Sequence, residues 1–202
     1  MTISVRLEEE KDYYRVEEIT KLAFSYPGRI ERGKIGCPYE HWMVHELRKR
    51  DGIPELSFVA EIDNSVVGHI IGSKAEVRTK EKIIPVLNFG PLSVHPSFQR
   101  RGVGKSLMNT LIENAKKLGF GAILFFGRPE YYPQFGFQEA FKFGITTRDG
   151  KNFPAFMAME LIPGYLSQAK DGKFFESDIY DDELNREKVK AFDDEFKNKN
   201  YI

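Results

Sequence analysis

The sequence predicts one α/β (α+β) domain built on a mixed, mostly antiparallel sheet flanked by helices, with a C-terminal extension. Three observations carry this. Two apolar runs, Leu56 to Ile62 and Val66 to Ala75, are joined by Asp63-Asn64-Ser65, a hairpin turn signal. A strand ending at Val94 leads through a glycine-bearing loop into an amphipathic helix and then a continuous apolar run, Ala122 to Phe126. That is a strand–helix–strand unit, expected to cross over right-handed with its last strand buried on both faces. Two segments of helical period precede both features.

Taken in order, Ile3 to Leu7 alternates and reads as a first strand. From Glu8 the period turns helical, with Val16, Ile19, Leu22 and Ala23 on one face and acids at the start, where the helix dipole favours them. Pro27-Gly28 stops it. A second helix covers Tyr39 to Arg50, anchored by Trp42, Val44 and Leu47, and Asp51-Gly52 breaks it. After the hairpin, a long strand from Ile84 to Val94 is interrupted by Gly90-Pro91. Proline lacks an N–H and glycine loosens the ladder, so a bulge or splay is expected there. His95-Pro96 closes the strand. The next helix runs from Val103 to Leu118, with Leu107, Leu111 and Ala115 inward, Lys116 and Lys117 in the last turn and Gly119 as its cap. Glu130 to Phe135 forms a short turn or helix, and Gly136-Phe137 leads to the last strands, including Ala155 to Leu161. Residues 1–165 make up the domain and 166–202 the extension, since the composition changes after Pro163-Gly164. Asp181 to Phe196 has Leu184, Val189, Phe192 and Phe196 spaced for an amphipathic helix. Packing on the same domain is preferred to a dimer contact or a substrate lid, and Phe174-Phe175 and Tyr180 suggest that the connecting segment packs too.

Composition narrows the function. The chain has 202 residues with 17 Phe, enough for a real core. Lys and Arg number 30 against 30 Asp and Glu, so no global basic field holds nucleic acid and any anion site must be local. No apolar run reaches the ~20 residues of a membrane span, and no secretory leader is expected. A single cysteine, Cys37, allows no internal disulfide, in keeping with a cytoplasmic location.

The most informative stretch is Gln99 to Ser106, Q-R-R-G-V-G-K-S. Its last five letters imitate the end of an ATP-binding P-loop. That motif needs a glycine at position 99, which is glutamine, and a neighbouring strand end with an acid for magnesium; Ala122 to Phe126 ends in Gly127. The alternative cradle, Q/R-x-x-G-x-G/A, is filled at Gln99, Gly102 and Gly104. Two glycines let the backbone approach a pyrophosphate at a helix N-terminus, and Arg100 and Arg101 add local positive charge.

Leu92 to Gly104 (L-S-V-H-P-S-F-Q-R-R-G-V-G) and Tyr131 to Phe137 (Y-Y-P-Q-F-G-F) together resemble the acyl-coenzyme A N-acyltransferases of the GNAT superfamily. The resemblance covers Ile3 to about Leu161, and the paired-tyrosine form is similar to a bacterial subgroup of predicted N-acetyltransferases. It implies a GNAT fold and direct acetyl transfer from acetyl-CoA, as cosubstrate, to a primary amine, with no metal and no covalent acyl-enzyme. By the same resemblance Leu92, Ser93 and Val94 would offer backbone groups to the pantetheine arm, the Leu92 N–H serving the oxyanion. Gln99, Arg100, Arg101, Gly102, Val103, Gly104 and Lys105 would hold the pyrophosphate, and Tyr132 would protonate the departing thiolate. A phenol of ordinary pKa near ~10 is protonated at neutral pH and can do so.

The base is open. Glu76, carried as the base candidate, stands beside Asn88 (as a water positioner), His69 and Glu130, and no spacing selects among them. His41 and His45 have helical metal-ligand spacing but no third ligand, so an exposed pair is the preferred reading. His95 caps its strand; Cys37 and Tyr131 read as packed side chains; Trp42 and Phe24 to Tyr26 line an acceptor pocket or the core. A non-catalytic acyl-CoA sensor or interaction module of the same fold is the alternative, and a nucleotide-dependent enzyme a weaker one. The acceptor, a small-molecule or protein amine, and a homodimer stay open.

Overall fold

The computed structural model describes residues 2–26 and 39–199. Its strands are β1 (Ser4–Leu7), β2 (Gly52–Ile62), β3 (Ser65–Arg78), β4 (Ile83–Val94), β5 (Ala122–Phe126), β6 (Gln138–Glu139), β7 (Phe156–Glu160) and β8 (Lys173–Phe175). Its helices are α1 (Tyr13–Phe24), α2 (Tyr39–Lys49), α3 (Val103–Lys117) and α4 (Arg186–Lys199), with short 3-10 turns between elements. The sheet runs β1-β2-β3-β4-β5-β7-β6, and β8 pairs with β3. Among these strands only β4 and β5 pair in parallel. The predicted mixed, mostly antiparallel sheet is therefore present.

Local chemistry explains the element ends. Asp63 and Asn64 have φ of 50° and 61°, between the paired Ile62 and Ser65. This is a two-residue turn in the left-handed region, which Asp and Asn tolerate and whose twist suits a hairpin. α3 buries Val103, Leu107, Leu111 and Ala115 along one stripe. It can lie close to the sheet because β3 carries Gly68, where a β-carbon would come within 2.9 Å of Val103 Cγ1. Along β3, Ile70 joins the core under α3, whereas Ile71 packs with Trp42, Met43 and Leu47 of α2. The sheet is thus sandwiched between α3 on one face and α1 and α2 on the other.

Several expectations change. Leu22 is exposed, and the buried face of α1 is Val16, Glu17, Ile19 and Thr20. Glu8 precedes any helix and its side chain is buried: the carboxylate meets Arg48 Nη2 at 2.5 Å and Ser57 Oγ at 2.7 Å. The second helix ends at Lys49, just before Asp51-Gly52 as expected, but β2 already starts at Gly52 and not at Leu56. In the C-terminal segment Leu184 lies before α4 and is exposed, while Val189 and Phe196 are buried. Phe192 and Phe196 pack edge-on against the His41 ring of α2. Pro27-Gly28 and Cys37 lie outside the described residues. Among the described residues no helix is long and apolar enough to cross a membrane.

Candidate functional site

The site begins with a fork in the sheet. β4 and β5 pair only at Leu87 and Ile123, and no further register is made towards Val94. On its other edge β4 stays with β3, through Gly68–Val94, His69–Ser93 and Ile70–Leu92, then a register shift to Gly72–Phe89. The shift falls at Gly90-Pro91, where Gly90 has φ 145° and the peptide is cis. The expected irregularity is therefore a bulge on the β3 side and a splay on the β5 side. His95 N–H donates to Val67 O at 2.8 Å. Backbone groups alternate edges along a strand, so Ser93 shares the β3-facing edge with His95. The N–H and C=O of Leu92 and Val94 face the fork. Gln99 Nε2 donates to Val94 O at 3.1 Å from that open side.

The mouth of the fork carries the glycine loop. His95 Nδ1 accepts from Ser97 N–H at 3.3 Å, capping the turn Pro96–Phe98. Arg100 (φ 59°) and Gly102 (φ 90°) then turn the chain into α3 through the left-handed region. The first helical bond runs from Ser106 N–H to Gly102 O at 2.9 Å, which leaves the N–H groups of Val103, Gly104 and Lys105 without intrahelical acceptors. Arg100, Arg101 and Lys105 are exposed and have no acidic partner among the described residues; Arg101 rests over the Phe98 ring. Two residues of this region point elsewhere. The Val103 side chain is in the core, and Ser93 Oγ is buried against Thr20 Oγ1 at 2.9 Å.

The tyrosines stand on the α3 face of the fork. Tyr132 lies with its ring centroid 4.5 Å from that of Phe125 on β5 and 5.8 Å from that of Phe89 on β4. It therefore spans the two diverging strands. Burial pushes its phenol above the ordinary value, and neighbouring Tyr131 adds to the shift. Tyr131 packs edge-on to Tyr132 and Phe135. Packing is not all it does: a β-carbon on Gly104 would stand 3.0 Å from the Tyr131 hydroxyl and 3.7 Å from Val94 Cγ2. The absent side chain at position 104 is what lets that hydroxyl reach the start of α3.

On the opposite face the fork opens at Asn88, the residue after the last β4–β5 pair. Asn88 is buried, and its Oδ1 accepts from Phe89 N–H at 2.7 Å. Its amide N–H therefore points the other way, donating to Glu176 Oε2 at 2.7 Å. Glu176 follows β8 and is half-buried; burial lifts its carboxyl to about 7, although the Asn88 hydrogen bond works against the shift. Close by, the Tyr180 hydroxyl donates to Gly90 O at 3.2 Å and so accepts a hydrogen bond from the Ser73 hydroxyl at 2.8 Å. The C-terminal segment thereby reaches the strand break itself. Glu176 and Tyr180 are not among the residues that the sequence singles out as base candidates; the cluster of aromatics at Phe174, Phe175 and Tyr180 is the signal it offers.

The other candidates are placed as follows. Glu76 lies on β3 opposite Phe175 and is engaged by Arg78 Nε at 2.5 Å; with Glu176, Asp51, Lys74, Arg78 and Arg148 it lines a cavity of about 450 Å³. His69 is fully buried, with Nε2 3.1 Å from Ser57 Oγ and 3.4 Å from Glu8 Oε1. Burial alone would raise the Glu8 carboxyl, but His69 and Arg48 hold it well below the carboxylate range. Glu130 is exposed in a turn. His41 corrects the expected exposed pair: it is fully buried 3.2 Å from Asp193 Oδ1, whereas the partly exposed His45 meets Glu17. Among the described residues no group of three His, Cys, Asp or Glu could hold a metal. Trp42 is core, stacked on Tyr39.

Known proteins share the family and the fold. The sequence profile of the Acetyltransferase (GNAT) family matches residues 14–137, and the chain belongs to that family. It is 35% identical over 111 residues, 54% of its length, to the uncharacterized N-acetyltransferase YjhQ of Escherichia coli K12; the match spans 61% of YjhQ. It is 28% identical over 126 residues to the uncharacterized N-acetyltransferase YhbS of the same strain, covering 62% of this chain and 74% of YhbS. The fold is similar to the crystal structure of Escherichia coli YhbS in complex with CoA, with a TM-score of 0.72 at 20% identity over 88% of this chain and 91% of the other. A Brucella melitensis GNAT acetyltransferase in complex with acetyl-CoA gives 0.67 at 23% identity, over 89% and 99%.

Proposed function

We propose that this protein transfers the acetyl group of acetyl-CoA to a primary amine by direct attack. The observation that carries the reading is the fork between β4 and β5, with an anion cradle at its mouth and a half-buried phenol spanning its arms. The cradle fits a pyrophosphate in three respects. Gly102 and Gly104 put no side chain over the helix start, three backbone N–H groups lack helical acceptors, and Arg100, Arg101 and Lys105 supply unpaired charge. Bound acetyl-CoA would supply the thioester that activates the acyl group. The Leu92 N–H, on the fork edge of β4, is the donor for the oxyanion that develops on the thioester oxygen. Tyr132 stays protonated at all working pH values and donates to the sulphur as it leaves.

Thiol release from acetyl-CoA, measured against spermidine, kanamycin and a peptide with a free α-amino group, tests the reading. Amine-dependent thiol release is expected. Coenzyme A binding with no turnover on any amine, hydroxylamine included, would leave a binding protein instead.

A further inference from the structure

We propose that Glu176, supplied by the C-terminal segment and held by Asn88, is the general base that deprotonates the acceptor amine. The assignment rests on the acetyl-transfer reading and adds to it the missing proton acceptor and the face from which the amine arrives.

Position is the first argument. Asn88 is where β4 and β5 part, and its side chain lies on the α1/α2 face of the sheet, as that of Ser73, its partner across the ladder, also does. Phe89, the next residue, lies on the other face and packs against Tyr132. The closed end of the fork is thus bracketed by a phenol on one face and the Asn88–Glu176 pair on the other. An amine entering from the Glu176 side meets the thioester opposite the group that serves the sulphur. The chemistry requires that separation, since a base beside the leaving group would compete for its proton.

Availability is the second argument. Asn88 is the sole polar partner of Glu176 among the described residues, and no cation neutralises it. The candidate Glu76 is engaged by Arg78, and His69 is sealed against Ser57 and Glu8. The Asn88 amide is fixed by Phe89 N–H, so it steadies one carboxylate oxygen and leaves the other for the amine or a relaying water. Burial places the carboxyl near neutrality, where a base accepts a proton and returns it within one turnover. The surrounding charged and titratable groups are Tyr39 of α2, Asp51 of the turn before β2, and Tyr180 on its own segment. Lys74, Glu76 and Arg78 of β3 and Arg148 line the adjoining cavity.

The step balances as follows. Glu176 takes one proton from R–NH3+ and passes it to solvent. The nitrogen lone pair bonds to the thioester carbon, and the C–S bond breaks with its electron pair on sulphur. The surplus proton on the new amide nitrogen balances the one that sulphur gains, late from Tyr132 or from solvent. The sum is R–NH3+ and acetyl thioester giving amide, thiol and one proton.

The test compares acceptors that do and do not need a base. Hydroxylamine is largely neutral at pH 7, whereas spermidine, kanamycin and α-amino peptides carry protons there. Glu176→Gln should lower thiol release about 100-fold with the best of the cationic amines, change it less than about 5-fold with hydroxylamine, and leave coenzyme A affinity by calorimetry unaltered. Glu176→Asp should recover part of the loss. Equal losses with both kinds of amine, no loss with the cationic amine, or a wild type that uses hydroxylamine alone would each overturn the assignment. Wild-type protein that fails to bind coenzyme A would instead remove the acetyl-transfer reading on which it stands.

Discussion

Tyr132 is held by rings, with Phe89, Phe125 and Phe137 around it, and that packing decides which kind of acid it can be. Its phenol is pushed above the ordinary value near ~10. A thiolate whose conjugate acid lies near ~8.5, the value for a cysteine thiol, therefore cannot take its proton downhill. The hydroxyl is better matched to stabilising the departing sulphur by a hydrogen bond in a dry setting, with full transfer late or from solvent. Tyr132→Phe keeps the ring and removes the donor. It should lower kcat for thiol release by about 100-fold while coenzyme A affinity stays within about twofold. Unchanged kcat in steady-state assays would take the phenol out of the reaction. The residue scale also shows what sequence cannot supply. Glu176 and Asn88 are 88 positions apart, and nothing in either neighbourhood pairs them. Tyr132 could be singled out because the pattern that it heads runs through six consecutive letters, Tyr132 to Phe137.

The elements nearest the chemistry were the most readable. The loop and α3 were fixed by contiguous signals: glycines at 102 and 104, an apolar stripe of period 3.6, and a lysine-rich last turn. The Gly90-Pro91 pair marked the bulge because a missing donor must break a ladder. Elements were misjudged where tertiary contacts override pattern. Leu22 continues the apolar period of α1, yet it points out because Val16 and Ile19 already fill the seam against β2 and β3. Glu8 looked like a dipole acid and is instead a partner of Arg48. For the loop–α3 element, Gly104→Ala is the sharp test. The added methyl would stand 3.0 Å from the Tyr131 hydroxyl and over the unpaired N–H groups. Coenzyme A affinity measured by calorimetry should fall about 10-fold or more, with stability to urea changed by less than about 1 kcal/mol, since alanine suits a helix interior. An affinity equal to wild type would mean that the cradle lies elsewhere.

Across the whole molecule, the C-terminal segment is tied both to the sheet and to the helix that covers it. β8 extends the sheet beside β3, and α4 covers α2 through Phe192, Phe196 and Val189. At that second junction His41 is fully buried, and burial, with Lys21 adding to it, pushes the imidazole down to about 4 even though Asp193 opposes the shift. The sign follows from linkage. Between its ordinary 6.5 and about 4 the unfolded chain binds a proton that the folded chain refuses, so stability is full above that window and falls as pH drops through it. Urea unfolding should show a loss of about 2–3 kcal/mol across this range, and His41→Phe should flatten the curve. A wild-type curve as flat as that of the variant would show that the helix is not docked over a neutral histidine. Acid would thereby loosen α4, which docks the segment that carries Glu176. The claim on which the rest depends is that the loop from Gln99 to Lys105 grips coenzyme A and not a nucleoside triphosphate. Titration calorimetry of the full chain with coenzyme A and, separately, with ATP and magnesium tests it most directly. Saturable one-to-one binding of coenzyme A, weakened by Gly104→Ala, is the predicted result; binding of ATP without binding of coenzyme A would contradict it.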